Sequence, residues 1–413
     1  MEYGLIAERL GHSFSKEIHA RLAGYDYELK ELKNSDEFDA FMRRREFKAI
    51  NVTIPYKEAV IPYLDEIDPV AKEIGAVNTV VNSNGRIVGY NTDFAGMKTM
   101  CENSGIVMKD KKVLILGGGG TSKTSFAVAK AMGAREIFTV SRKKSELAID
   151  YNEAYSLHND AEIIINTTPC GMYPQICTCA IDLTEFNNLE SAVDVVYNPL
   201  KTDFYLAAER QGARAVCGLY MLVAQAVFAC ERFLGKKFSQ GTIDTVYKDI
   251  LISKQNIVLI GMPASGKTTL GKFIAQKTDR PFYDTDDMIE EKTGKHPSVI
   301  IKEQGEAAFR DIESEIVKEV SAKSGAVIAT GGGAVLREEN RNNLHKNGVV
   351  WFIDRPLEKL ITTDDRPLSS NREALEKRYS ERYPIYIAAA DYVLKDIETL
   401  REAAEQIETD LKK

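Results

Sequence analysis

Short apolar runs alternate along the chain with stretches of helical spacing, so the order reads strand, helix, strand, as in βαβ units. In the front part the pattern predicts strands over 3–7, 25–32 and 48–54 and helices over 16–22 and 36–44. A hairpin over 77–90 should turn at Asn84-Gly85. A strand over 112–116 then runs into an alanine-rich helix ending near 132. Further strands follow at 136–140 and from Ile163 and Ala192, and a helix opens at Gly218. Residues 246–255 read as a short polar junction without a Gly/Ser-rich or Pro-rich linker. Beyond it lie a buried strand at 257–260, a strand over 281–286, a buried strand from Val327 into Gly331-Gly332-Gly333, and a late helical stretch from Glu381. The expectation is α/β throughout, with parallel sheets flanked by helices.

Length and composition narrow this picture. A chain of 413 residues favours two or three domains, and 44% apolar with 28% charged residues is ordinary globular composition. A formal net charge of -7 argues against a nucleic-acid partner but leaves phosphorylated ligands open, because local lysines and arginines decide those. No apolar run approaches the roughly 18 residues of a membrane span. The N-terminus passes straight into a strand without the shape of a signal peptide. Six scattered cysteines, with Cys177-Thr178-Cys179 lacking a companion pair at zinc spacing, read as free thiols, and the expected location is the cytoplasm.

Two glycine loops carry the first chemistry. Gly261-Met-Pro-Ala-Ser265-Gly266-Lys267-Thr268-Thr269 follows the apolar run 257–260 and precedes a helix, the context of a P-loop. Its backbone N–H groups would cradle phosphate, Lys267 would reach the β/γ-phosphates, and the Thr268 hydroxyl would ligand Mg²⁺. Gly117-Gly118-Gly119-Gly120-Thr121 follows the strand at 112–116 and opens a helix as a dinucleotide loop does, with Ser122 at the third glycine position. The next strand ends in Ser141-Arg142-Lys143-Lys144. An acidic residue there would accept from the ribose hydroxyl of NAD; cations fit the 2′-phosphate of NADP, with Arg142 and Lys143 as clamps.

Polar residues collect where the first strands end: His12-Ser13-Phe14-Ser15, Asn51-Val-Thr53 with Lys57, Asn78-Thr79 and Asn91-Thr92-Asp93. Such a set suits a small polyhydroxylated acid. Lys57 can donate a proton to a carbonyl oxygen, and Asp93 can hold the lysine in place. In the last part, alternation along the strand would put Asp284 and Asp286 on one face. One would hold a metal's water shell and the other position or deprotonate an acceptor hydroxyl. Arg310 and Glu313 lie one helical turn apart.

In their order, His-Ser-x-Ser, Asn-Val-Thr-x-Pro-x-Lys, Gly-Ala-Val-Asn-Thr and Asn-Thr-Asp-x-x-Gly resemble shikimate dehydrogenase over about residues 1–250. The resemblance implies a substrate lobe over 1–93 and 218–250 and an NADP-binding Rossmann lobe over 94–217. It implies substrate binding by Ser13, Ser15, Asn51, Thr53, Asn78, Asp93, Tyr197 and Gln225, a catalytic pair Lys57 and Asp93, and Gly218 near the nicotinamide. Lys16 and Ala20 depart from the proline and asparagine usual in that family. Asp-Thr-Asp at 284–286, Phe-Arg-x-x-Glu at 309–313, the glycines at 331–333, Arg366-Pro-Leu and Arg382-x-Pro-x-Tyr386 resemble shikimate kinase over 255–413. That likeness implies shikimate held by Asp286, Arg310, Gly332, Gly333 and Arg382, Asp284 acting on the metal through water, and catalytic Lys267 and Arg366. Arg366 would swing in with a lid that is short and lacks the Arg-Thr pair of many relatives.

Together the resemblances imply a bifunctional enzyme that reduces 3-dehydroshikimate with NADPH and phosphorylates the shikimate formed with MgATP. The alternatives are a quinate/shikimate oxidoreductase fused to a kinase, against which Arg142 and Lys143 argue, and a non-catalytic sensor, against which the retained Lys57, Asp93, Lys267 and Asp286 argue. Self-association is left open, as is passage of shikimate between the two sites.

Overall fold

The computed structural model describes residues 1–11, 13–360, 372–395 and 397–412. The chain divides into two compact units: Met1–Tyr197 with Thr202–Ile250, and Asn198–Lys201 with Leu251–Lys413. Every sheet carries helices, as the alternating pattern requires. Among the described residues no helix is long and apolar enough to cross a membrane.

The first unit holds two sheets. In one, the strands β1 (Tyr3–Ala7), β2 (Tyr27–Glu31), β3 (Ala49–Val52), β4 (Glu66–Ile67), β5 (Thr79–Ser83) and β6 (Arg86–Tyr90) stand in the order β2-β1-β3-β5-β6-β4. The β1–β2 and β1–β3 pairs are parallel, and β5 turns back antiparallel into β6 through Asn84 and Gly85, both at positive φ as a tight hairpin requires. In the other sheet β7 (Lys112–Leu116), β8 (Glu136–Val140), β9 (Ile163–Asn166), β10 (Ser191–Asp194) and β11 (Arg214–Val216) are all parallel in the order β11-β10-β9-β7-β8. Val113 to Leu116 and Ile163 to Ile165 are buried throughout, as strands covered on both faces must be. The order reverses between β7 and β9, so their C-terminal ends open the crevice where doubly wound sheets take ligands. The helix Leu219–Leu234 packs on the helix Thr92–Asn103 and on Ser15–Leu22, returning the chain to the first sheet.

The second unit has one parallel sheet, β13-β14-β12-β15-β16, built from β12 (Asn256–Ile260), β13 (Phe282–Asp284), β14 (Val327–Ala329), β15 (Gly348–Asp354) and β16 (Tyr392–Lys395). Its switch point lies between β12 and β15, beside the P-loop.

Two local expectations change. Residues 246–255 are no polar junction: the helix Thr242–Lys254 runs up to β12, because Val246 and Ile250, one turn apart, are both buried. Asp284 and Asp286 do not alternate along one strand. β13 stops at Asp284, whose carboxylate caps the helix Thr285–Thr293 by accepting from the Asp286 N–H at 3.0 Å. Lys57 itself sits in a run of turns over 54–60.

His19, on the helix Ser15–Leu22, is fully buried, stacked on Tyr27 at 3.9 Å with Nδ1 2.6 Å from the Tyr25 hydroxyl. Burial holds the ring neutral and lowers its pKa from 6.5 to about 3, against an opposing pull from Asn51. The unfolded chain therefore takes up a proton near pH 6.5 that the folded chain refuses. Stability from this residue is complete above that pH and is lost as pH falls toward 3. Replacing His19 by Gln should reduce proton uptake on unfolding between those limits by about one proton, read from denaturation midpoints across pH; an unchanged pH slope contradicts this.

Candidate active sites

The first cluster lies where the two sheets of the first unit face each other. Asn91 caps the helix Thr92–Asn103 by accepting from the Phe94 N–H at 3.0 Å, which puts Asp93 in the first turn, where the helix N-terminus favours a carboxylate. The Lys57 ammonium meets Asp93 Oδ2 at 2.6 Å, with side chains only 13% and 9% exposed. The same ammonium reaches Thr121 Oγ1 at 3.5 Å, in the first turn of the helix that the glycine loop after β7 opens. One lysine thus touches both a carboxylate of one lobe and the dinucleotide loop of the other.

Around this pair the polar side chains are cross-braced. Asn78 Oδ1 accepts from the Thr92 N–H at 2.7 Å, while its Nδ2 donates to Thr92 Oγ1 at 3.0 Å and to Gln225 Oε1 at 3.4 Å. Ser13 Oγ accepts from the Ser15 N–H at 3.2 Å, and Tyr197 packs on Phe14 at 5.2 Å between ring centres. Thr53, half-buried at the end of β3, donates its N–H to Ile6 O at 3.1 Å. Asn51 is different. It is buried, its Oδ1 accepts from the Tyr27 hydroxyl at 2.7 Å, and its Nδ2 donates to Asn78 O and Thr79 Oγ1. Both its donors are committed inside the protein, so its geometry is that of a brace behind Asn78. Tyr27 went unnoticed in the sequence because an aromatic at the start of a strand looks like core.

The loop after β7 has the shape a pyrophosphate needs. Gly117 has φ +113, and a Cβ there would lie 2.7 Å from Thr167 Oγ1, whereas one on Gly118 or Gly119 would meet nothing. Gly119 precedes the helix Gly120–Ala131, whose first N–H groups face that open side. Ser141 donates its hydroxyl to Lys143 O, tightening the turn after β8. Lys144 pairs with Glu153 at 2.6 Å, but neither Arg142 nor Lys143 forms an ion pair among the described residues. Gly218 has a simpler cause: a Cβ there would lie 2.1 Å from Val195 O.

The second cluster surrounds a cavity of about 570 Å³ at the P-loop. Gly261 (φ +149), Ala264 (φ +65) and Gly266 (φ +96) curl the loop, and the helix Lys267–Thr278 begins directly after it. Lys267 Nζ donates to the carbonyls of Gly261 and Met262 at 3.0 and 2.8 Å. Ser265 Oγ is buried without a hydrogen-bond partner among the described residues. Thr268 donates to Asp284 Oδ2 at 2.7 Å, and Thr269 follows it in the first turn. Among the described residues no three His, Cys, Asp or Glu side chains gather as a metal cage.

Opposite the loop, Arg310 is gripped by Glu313 at 2.7 Å and Glu306 at 2.9 Å. Gly305, at φ +87, breaks the helix Pro297–Ser321 just ahead of them. Burial works against the Arg310 charge, but the two carboxylates outweigh it and raise its pKa; burial also raises the Glu313 carboxyl against the pull of Arg310. The glycine run is explained residue by residue. A Cβ on Gly331 would lie 2.8 Å from Asp286 Oδ1 and 2.9 Å from Glu313 Oε1, and one on Gly333 would fall within 2.4 Å of the Arg310 guanidinium. Gly332 O accepts from Arg382 Nη1 at 3.0 Å and from the Tyr386 hydroxyl. Arg378 also lines the cavity, its pKa lowered by burial and by neighbouring Arg382. Its place four residues before Arg382 on the helix Arg372–Ala389 was a signal sequence reading could have used. Arg366 lies outside the described residues, as does His12.

Residues 263–412 match the family model for shikimate kinase, and residues 5–80 that for the shikimate dehydrogenase substrate binding domain. The chain is 36% identical over 270 residues to the shikimate dehydrogenase (NADP(+)) of Clostridium perfringens, covering 60% of this chain and 97% of that one. It is 46% identical over 158 residues to a shikimate kinase of Clostridium botulinum, covering 37% of this chain and 95% of that one. The crystal structure of shikimate dehydrogenase 1 from Peptoclostridium difficile superposes with a TM-score of 0.57 at 33% identity, over 60% of this chain and 98% of that one.

Replacing Tyr27 by Phe leaves Asn51 Oδ1 buried without that donor. The expected cost is about 1–3 kcal/mol, read as a lowered denaturation midpoint of the first unit; a variant as stable as the parent would show that Asn51 is held some other way.

Proposed function

The chain belongs to the shikimate dehydrogenase family through its front part and to the shikimate kinase family through its back part, and from that premise we propose how its residues serve each reaction. It is a bifunctional shikimate-pathway enzyme. The reading rests on one observation made twice: each acceptor cluster ends on a nucleotide loop, Lys57 at Thr121 and Asp284 at Thr268.

In the front site NADPH supplies the hydride that reduces the C3 carbonyl of 3-dehydroshikimate. The open face at Gly118 and Gly119 and the uncommitted cations at Arg142 and Lys143 suit its phosphates. Lys57 donates the proton to the carbonyl oxygen, and Asp93 keeps the ammonium aimed. Ser13, Ser15, Thr53, Asn78, Tyr197 and Gln225 hold the hydroxyls and the carboxylate of the acid. Asn51, contrary to the sequence expectation, serves them from behind through Thr79 and Asn78.

In the back site Arg310 and Arg382 take the shikimate carboxylate, a pairing suited to two planar donors, while Gly332 and Gly333 let the ring approach the backbone. Asp286 orients the C3 hydroxyl and accepts its proton. The Thr268 hydroxyl, and Asp284 through water, would hold magnesium, which would supply charge neutralisation for the transferred group. Lys267 and Arg366 meet the phosphates from the protein side. A cytoplasmic location agrees with six cysteines that are all free thiols.

Purified protein should oxidise NADPH with 3-dehydroshikimate and, separately, form ADP from MgATP with shikimate. Lys57→Ala should lower the reduction by roughly 10²–10⁴-fold and leave the phosphorylation of supplied shikimate at the parent rate; loss of both together contradicts separate sites. Replacing Arg142 and Lys143 together by Ala should raise the KM for NADPH by roughly 10²-fold while that for NADH stays put. Equal effects on the two cofactors would remove the 2′-phosphate contact.

A further inference from the structure

The two faces of the P-loop differ in how their arginines are engaged. On the β13 and β14 side, Arg310 is held by two carboxylates and Arg382 by the carbonyl of Gly332. On the other side, β15 pairs with β12 in parallel register, Ile260 opposite Phe352, so the chain leaving β15 passes beside the P-loop. The second residue past that register ends the strand at Asp354, and Arg355 follows. Arg355 lines the same cavity, with Nη1 3.7 Å from where a Cβ on Gly266 would stand.

Its adjacent carboxylate is committed elsewhere: Asp354 accepts from the hydroxyls of Tyr379 and Tyr383 at 3.3 and 3.0 Å and lies 3.4 Å from Lys395 Nζ. Among the described residues the Arg355 guanidinium has no hydrogen bond and no ion pair. An exposed arginine usually serves solubility or a weak surface pair. Here it stands instead over the last glycine of a phosphate cradle, with no acid paired to it among the described residues.

Strand order then decides which part of a nucleotide it meets. The acceptor residues Asp286, Arg310, Gly331 to Gly333 and Arg382 all lie toward β13 and β14. A terminal phosphate handed to that side leaves the inner phosphate and the nucleoside running toward β15. We propose that Arg355 is a nucleotide-binding residue of the kinase half, its guanidinium engaging the α-phosphate of ATP and of the ADP product. This rests on the kinase reading of the site.

The test uses the full-length chain, Arg355→Ala and Arg355→Lys. For Arg355→Ala, the dissociation constant for MgADP and the KM for ATP should both rise by about tenfold, the loss of one charge-assisted contact. The KM for shikimate and kcat at saturating ATP should hold, which also reports that the variant is folded. Arg355→Lys, keeping the charge, should fall between the parent and Arg355→Ala. Unchanged ADP binding and ATP KM in Arg355→Ala overturn the assignment, as does a fall in kcat with ATP KM unaltered. Arg355→Lys as weak as Arg355→Ala overturns the α-phosphate contact. ADP titration needs no shikimate turnover, so a failed kinase reading and a failed role for Arg355 give different results.

Discussion

Both sites depend on backbone N–H groups that the first turn of a helix leaves without partners. A parallel strand buried on both faces must end in a tight turn before its helix, and the helix start then offers a row of donors toward the sheet edge. The chain uses that device after β7 and after β12, and in each case glycine supplies the curl, with Gly117 at φ +113 and Gly261 at φ +149. Everything else in the two sites is arranged relative to these donors. Lys57 reaches toward one loop from the neighbouring sheet, and Asp284 reaches toward the other from β13.

The second constraint is closeness. The run Gly331 to Gly333 has little freedom to carry side chains, because Asp286, Glu313 and Arg310 already occupy that space. This pocket is thus made from side chains pressed against bare backbone, with Arg310 held between Glu306 and Glu313 so that its charge is not buried alone. The front pocket reaches the same end with neutral groups. Tyr27, Asn51, Thr79, Asn78 and Thr92 form one buried hydrogen-bonded chain that sets the angle of the amides facing the cleft.

Most of this was legible in the sequence where chemistry is local. The glycine loops, the strand before each and the helix after each follow from residue type and period alone, and the front and back motifs named their families. What escaped was set by tertiary neighbours. Asp286 turned out to be helical because Asp284 prefers to cap, which alternation cannot foresee. The stretch 246–255 looked polar, yet two buried residues one turn apart made it a helix. Nothing in the sequence pairs Asn51 with Tyr27, which donates to it from a strand two places away in the sheet. Arg355 carried no signal at all, since its role depends on which strand lies beside the P-loop.

Lys267 bears on selectivity against small anions. Its ammonium already has acceptors in the carbonyls of Gly261 and Met262. Drawing it onto a phosphate means exchanging those bonds, each worth about 1.5–3 kcal/mol to a charged donor, for new ones. Inorganic phosphate or sulfate can meet the lysine and the loop amides, but brings no second phosphate and no metal. A metal-bound triphosphate would engage Thr268 and further loop amides in the same event. The more partners a ligand engages at once, the more fully the exchange at Lys267 is offset.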